Sequence, residues 1–408
     1  MNNKDINILN TAINYYNNYK FTKSSKEFNK IIDKYKNYEI TDINLFQLFV
    51  NYDTICNTLN KENKYFVKLT NCNHIVKNFD EKNKLQFYQL FTNSCLSKGE
   101  FDLVYQDKYL NYINYVIGPG VEPKDADFVK ESDKDKTTLL YIGGGLGDKI
   151  MFFRFLPMLC QKFDKNNFIF LLEDRLIWLF ENSFGHIPNL KILKFSQKAS
   201  VVNLKYDYQH NLCYSMKILN LNSREKIPFV PFLKNFDDEI KIQTIREEIS
   251  SMGKKYVINW HGAYQNKHEK KNRGMGLENL VPLFEMEDVT WIILTLEISE
   301  SEKNILDKYD NVKNYSKLID KENSFQDTIS IMKNVDGVIT TDTSLAHLAG
   351  SMDINLYVLL TKYPEWRWGN EKSTYWYPNA KLLRQEEFGN WQSVIKELKI
   401  NIQESKNK

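Results

Sequence analysis

Hydrophobic and polar positions change rhythm along this chain. From Asp5 to about Gly118 the apolar residues recur at helical spacing, with Ile8, Leu9, Ala12, Ile13 and Tyr16 in one run and Phe28, Ile31, Ile32 and Tyr35 in the next. The pattern predicts helices over Asn7–Asn18 and Lys23–Tyr35, joined at Tyr19–Thr22. A second pair is expected over Lys84–Leu96 and Phe101–Tyr115, turning at Lys98-Gly99. Paired helices of this size read as a helical-hairpin domain, a degenerate repeat, over residues 1–118.

A stretch rich in proline, glycine and charge follows over residues 119–136 and reads as a linker. After it the rhythm becomes strand and helix in turn. Residues 137–235 begin with an apolar strand at Thr138–Ile142, three glycines and a helix over Lys149–Phe163. Short strands are expected at Phe168–Leu172, Leu190–Phe195 and Val201–Leu204, and the two prolines of Ile227–Lys234 mark a connection. Residues 236–408 resume the alternation. Strands are expected at Tyr256–Trp260, Thr290–Thr295, Gly337–Thr340 and Leu356–Leu360, and helices at Leu277–Leu283, Ser299–Asp307, Ser324–Met332 and Ser344–Ser351. A last helix is expected at Trp391–Leu398. Such alternation implies two parallel sheets with right-handed crossovers, hence an α/β fold behind an all-α domain.

At 408 residues the chain exceeds one ordinary core, and 42% hydrophobic residues suffice to fill several. Its 55 basic and 52 acidic residues nearly cancel to +3, which gives no reason to expect a nucleic-acid surface. The five cysteines, Cys56, Cys72, Cys95, Cys160 and Cys213, form no CxxC pair, so a disulfide scaffold or zinc ribbon is not expected. No window approaches a membrane-spanning run and no leader pattern opens the sequence, so a cytoplasmic protein without an integral membrane segment is expected.

The chemistry concentrates where strands meet helices. Gly337–Thr340 runs into Thr341, Asp342, Thr343 and Ser344, and a small-residue helix follows. The free backbone N–H groups of a first helical turn attract anions, so this turn is a candidate phosphate or diphosphate cradle. His347, one turn inside, is either a packing residue or a phosphate contact, and Gly350 allows close helix-to-sheet packing. The loop Gly143-Gly144-Gly145-Leu146-Gly147-Asp148 departs from the dinucleotide pattern GxGxxG, because an acid lies inside the loop itself. Glu297, just past a strand end, is able to accept hydrogen bonds from ribose hydroxyls. No Asp-x-Asp element at a strand end, HExxH or Cys/His cluster appears, so neither metal nor other cofactor is expected. Motifs for serine hydrolases and P-loop kinases are missing as well.

Three ordered segments carry a family resemblance: GGGLGDKIMFFRFLP at 143–157, the stretch from VINWHGAYQNKHEKKNRGMG to TWIILTLE within 257–297, and DTSLAHLAG with PEWRWG, YWYP and LLRQ from Asp342 onward. Together they resemble bacterial glycosyltransferases of the family 9, ADP-heptose transferase-like group, including those associated with tetratricopeptide repeats. The resemblance covers roughly residues 137–398 and implies the two-Rossmann-domain architecture called GT-B, with residues 137–235 as acceptor half and 236–408 as donor half. It implies a transferase that moves a sugar from a nucleoside-diphosphate-sugar to a hydroxyl, inverting and metal-independent. Asp148 would be the general base, with Gly145 and Gly147 on the acceptor side; as a bare residue, Asp148 also reads as a cap of the following helix. Lys267 and Arg273 would be the cations at the donor phosphates, although a charged loop is also simply solvated. Many relatives carry Gln at the position of Glu297, so this chain departs there. Trp366 and Trp368, with Arg367, Trp376 and Tyr377, would line a sugar pocket or form a rigid aromatic plug. The helical domain favours a protein or peptide acceptor over extension of a lipopolysaccharide-type glycan. A non-catalytic scaffold with a degenerate transferase domain is the rival in a different class.

Overall fold

The computed structural model describes residues 1–59, 61, 63, 65–70, 79–104, 128–196, 205–234, 236, 239–264, 273–363 and 365–404. The expected Val201–Leu204 strand and the helix expected beyond Val104 lie outside these residues. The chain divides into two compact units, one comprising residues 1–122, 221–224 and 363–370 and the other the remainder.

The first unit contributes helices among the described residues. Asn3–Asn17 and Phe21–Tyr35 form an antiparallel hairpin, turned at Tyr19 with φ 58°. Tyr35 Oη donates to Asp5 at 2.6 Å at one end, and Ser24 Oγ donates to the Ala12 carbonyl at 2.8 Å toward the other. Ile43–Thr58 and Glu81–Lys98 follow, capped by Asp42 and Asp80, and Gly99 at φ 76° ends the latter in the left-handed conformation glycine tolerates. Buried Asp53 accepts from Lys98 Nζ and Asn63 Nδ2, both at 2.7 Å, so this buried carboxylate is paired.

The second unit holds two parallel sheets. In the first, β1 (Thr137–Tyr141), β2 (Asn167–Leu172), β3 (Leu190–Lys194) and β4 (Tyr208–Asn211) run in the order β3-β2-β1-β4. In the second, β5 (Lys254–Asn259), β6 (Val289–Ile293), β7 (Val312–Asn314), β8 (Gly337–Thr341), β9 (Leu356–Leu360) and β10 (Ala380–Arg384) run in the order β10-β9-β8-β5-β6-β7. All pairings are parallel, and β8 and β9 are buried along their whole lengths, as strands covered on both faces must be. The sequence expectation of two parallel α/β layers holds at this level. β4, β7 and β10 were not expected.

Three helices differ from expectation. The stretch read as one helix over Lys149–Phe163 is two, Leu146–Phe153 and Phe155–Lys162, broken at Arg154. Pro157 explains the break, since it lacks the N–H that would bond the Phe153 carbonyl and its ring clashes with that group. The segment expected as a helix over Leu277–Leu283 is a 3-10 turn, Leu277–Leu280, continued by Val281–Phe284. The last helix, Gln392–Glu404, buries Val394, Ile395, Leu398 and Ile402 in the core of the second sheet with Leu280, Phe284 and Trp291. It covers its own layer.

Candidate functional site

In each sheet the strand order reverses beside the first strand in sequence: β2 lies on one side of β1 and β4 on the other, and β6 and β8 flank β5. Ligands of open α/β sheets bind in the crevice at the carboxyl ends of the strands at such a point. The glycine loop leaves β1 there, the segment beginning at Trp260 leaves β5, and the Thr341–Ser344 turn leaves β8.

The glycine loop passes through Gly144 at φ 81° and enters the helix Leu146–Phe153 with Gly145 as its N-cap residue. Asp148 therefore lies in the first turn, not ahead of it, and its Oδ2 accepts the Gly145 N–H at 2.9 Å. A carboxylate here satisfies an orphan backbone donor and lies at the favourable end of the helix dipole. Next to it Lys149, 5% exposed, bonds its Nζ to Glu173 Oε1. Burial pushes the Glu173 carboxyl up, but the Lys149 and Arg175 cations outweigh it and hold the group below its usual range.

On the second layer, Thr343 caps the helix Ser344–Ser351, its Oγ1 accepting from Leu345 N at 3.3 Å. A polar network ties three strand ends together beneath it. Asn259 Nδ2 donates to Thr340 Oγ1 and Thr343 Oγ1, both at 3.3 Å, and Asn259 Oδ1 accepts from Thr295 Oγ1 at 2.7 Å. Asp342, 7% exposed, pairs with Arg273 at 3.0 Å, so the chosen arginine meets the turn's own carboxylate. Thr341 Oγ1 is buried without a hydrogen-bond partner. Lys267 lies outside the described residues.

Glu297 is exposed at the end of β6, and its Oε2 accepts Tyr264 N at 2.8 Å. That bond closes the start of the β5 loop over β6. Behind it, Glu302 accepts from Trp260 Nε1 at 2.7 Å and from the Tyr264 hydroxyl, while the His261 ring stacks on Tyr264 at 4.3 Å. Burial and the Glu302 carboxylate together push the Tyr264 phenol up to about 12.

The two layers touch through their site helices. A Cβ on Gly147 would lie 2.6 Å from His347 Cδ2, and one on Gly350 would lie 2.5 Å from the Tyr377 ring. His347 is 3% exposed, and its Nδ1 lies 2.9 Å from Tyr377 Oη. Of the sequence-predicted aromatic cluster, Trp366, Arg367 and Trp368 belong to the first unit, and Trp376 and Tyr377 to the second. Trp366 and Trp368 are buried, at 6% and 1% exposure.

Asn259 was missed by sequence reasoning, yet it is the one amide ending the apolar run Tyr256-Val257-Ile258, a detectable signal. Lys149, Glu173 and Arg154 carried none, because partners that hold them are far away in sequence. Among the described residues no group of three or more His, Cys, Asp or Glu stands together as metal ligands, and no helix is long and apolar enough to cross a membrane.

No protein-family model and no curated protein matches the sequence. Solved structures similar to the chain include a glycosyl transferase of family 9 from Veillonella parvula, with a TM-score of 0.45 and 13% identity, covering 67% of this chain and 97% of that one. Another is the E. coli ADP-heptose lps heptosyltransferase II, with a TM-score of 0.43 and 11% identity over 66% of this chain and 99% of its own. A third is E. coli heptosyltransferase WaaC with ADP-2-deoxy-2-fluoro heptose, with a TM-score of 0.41, 11% identity and the same coverages.

Proposed function

We propose that the second unit is a GT-B glycosyltransferase that moves a sugar from a nucleoside-diphosphate-sugar to a hydroxyl acceptor by metal-independent, inverting displacement. The observation that carries this reading is the pairing of two switch-point loops in one body: Gly147 of the glycine loop seats against His347 of the helix that the Thr343 turn begins. The sequence resemblance of those same two loops supports it.

In the proposed mechanism the Thr341–Ser344 turn and the free N–H groups of its helix hold the diphosphate, whose charge grows as the leaving group departs. Arg273, already paired to Asp342, adds positive potential beside that turn. Lys267 is assigned the second cation and Glu297 the ribose hydroxyls. Asp148 takes the proton from the acceptor hydroxyl as its oxygen attacks the anomeric carbon and the bond to the diphosphate breaks. Gly145 leaves room on the acceptor side, and Gly147 lets His347 seat against the loop. The helical hairpins of the first unit support a protein or peptide acceptor.

A thermal-shift panel of ADP-, GDP-, UDP- and dTDP-sugars tests the reading. One base class should raise the melting temperature in proportion to its saturation of the native state. No response to any member would remove the donor site and leave a binding scaffold.

A further inference from the structure

Arg154 stands at the break between the two halves of the first site helix and is 5% exposed. Its Nε donates to the Met151 carbonyl and its Nη1 to the Trp376 carbonyl, both at 3.0 Å. The Phe232, Trp376 and Tyr377 rings surround it, with centroids 5.0, 5.0 and 5.1 Å from Cζ. Nη2 has no hydrogen-bond partner, and among the described residues no carboxylate pairs with the group. A buried cation without a counter-charge is costly, and a methionine would fill this aromatic box without that cost. The guanidinium therefore asks for a role beyond packing.

Tyr377 supplies the next link. Its ring packs against the Arg154 guanidinium, and its hydroxyl lies 2.9 Å from His347 Nδ1. The imidazole in turn presents its Cδ2–Nε2 edge to Gly147. The chain begins and ends on one helix: Arg154 follows its last residue, and Gly147 precedes Asp148.

We propose that Arg154, Tyr377 and His347 form a positioning chain that locks the glycine-loop helix and the Thr343-capped helix in one register, setting where Asp148 stands relative to the donor turn. This rests on the transferase reading given above. None of the three needs to touch substrate. Their effect passes through the seat of His347 on Gly147.

Tyr377→Phe removes one hydroxyl and keeps the ring, and Arg154→Met fills the aromatic box without the donors. Imidazole 15N shifts of His347 should report one fixed tautomer in the wild-type protein and a mixture in both variants. With the nucleotide sugar that the wild-type protein turns over, kcat should fall roughly 10- to 100-fold in both while KM stays within about threefold, the signature of misplacement rather than lost binding. An unchanged tautomer, or a loss confined to KM, overturns the proposal. If Tyr377→Phe fails to fold by circular dichroism, Arg154→Met carries both readouts. The tautomer measurement needs no turnover. A wild-type protein inactive on every nucleotide sugar would therefore sink the transferase reading while the 15N shifts still decide the chain.

Discussion

Replacing Gly147 by alanine adds one methyl group where the two α/β layers meet. The new Cβ would stand 2.6 Å from His347 Cδ2, roughly 1 Å short of the ~3.5–4.0 Å at which carbon atoms pack. The imidazole has little room to retreat. It is 3% exposed and held at Nδ1 by Tyr377, whose own ring is seated on Gly350. The two helices must therefore move apart. Overpacking of this kind costs about 1–3 kcal/mol, while alanine regains up to ~1 kcal/mol of helix propensity, so the net loss of stability is about 0–2 kcal/mol. Activity should suffer more, because a displacement of ~1 Å between reacting groups can cost about 100-fold in rate. Urea denaturation and release of nucleoside diphosphate measure the two effects. Adding His347→Ala opens the space again and should recover at least ~1 kcal/mol of stability in a double-mutant cycle. A Gly147→Ala protein with wild-type kcat, or additive effects in the cycle, would refute the reasoning.

Two further outcomes follow from buried groups. His210 on β4 is 2% exposed against Phe128, and burial pushes its pKa down to about 4. Its folded value lies below the unfolded one, so the native state is fully favoured above pH 6.5 and loses stability as pH falls toward 4. Between pH 7 and pH 5 this one group should remove about 2 kcal/mol, and His210→Phe should flatten that slope in urea titrations. An identical slope in the variant would exclude His210 as its source. Asn259→Ala strips the shared partner from Thr295, Thr340 and Thr343. It should cost about 1–3 kcal/mol and raise KM for the nucleotide sugar more than it lowers kcat. Steady-state kinetics with KM unchanged would detach the network from the donor turn.

The sequence was most legible where local preference and tertiary setting agree. Ser344–Ser351 and Leu356–Leu360 fall on their expected residues, since each is a buried apolar run bounded by a hydroxyl cap or a turn. Boundaries failed where a distant residue decides them. Gly145 and Gly147 read as loop, yet Gly147 lies inside the helix because His347 occupies the space its Cβ would need. The short strands Tyr208–Asn211, Val312–Asn314 and Ala380–Arg384 carry polar residues and lie at sheet edges, where the neighbouring ladder and not their own pattern makes them strands. The loops of the candidate site were visible as glycine and hydroxyl signals at strand ends. Arg154, which helps hold them, belongs to a contact spanning 222 residues and leaves no local trace.

Asp148 carries the central claim and also caps its own helix, so the informative substitution is asparagine. Its amide oxygen can still accept the Gly145 N–H, but it cannot take a proton. With the nucleotide sugar turned over by the wild-type protein and water as acceptor, Asp148→Asn should release nucleoside diphosphate at least ~100-fold more slowly, with an unchanged melting temperature. Equal release from the two proteins would contradict the assignment of Asp148 as the base.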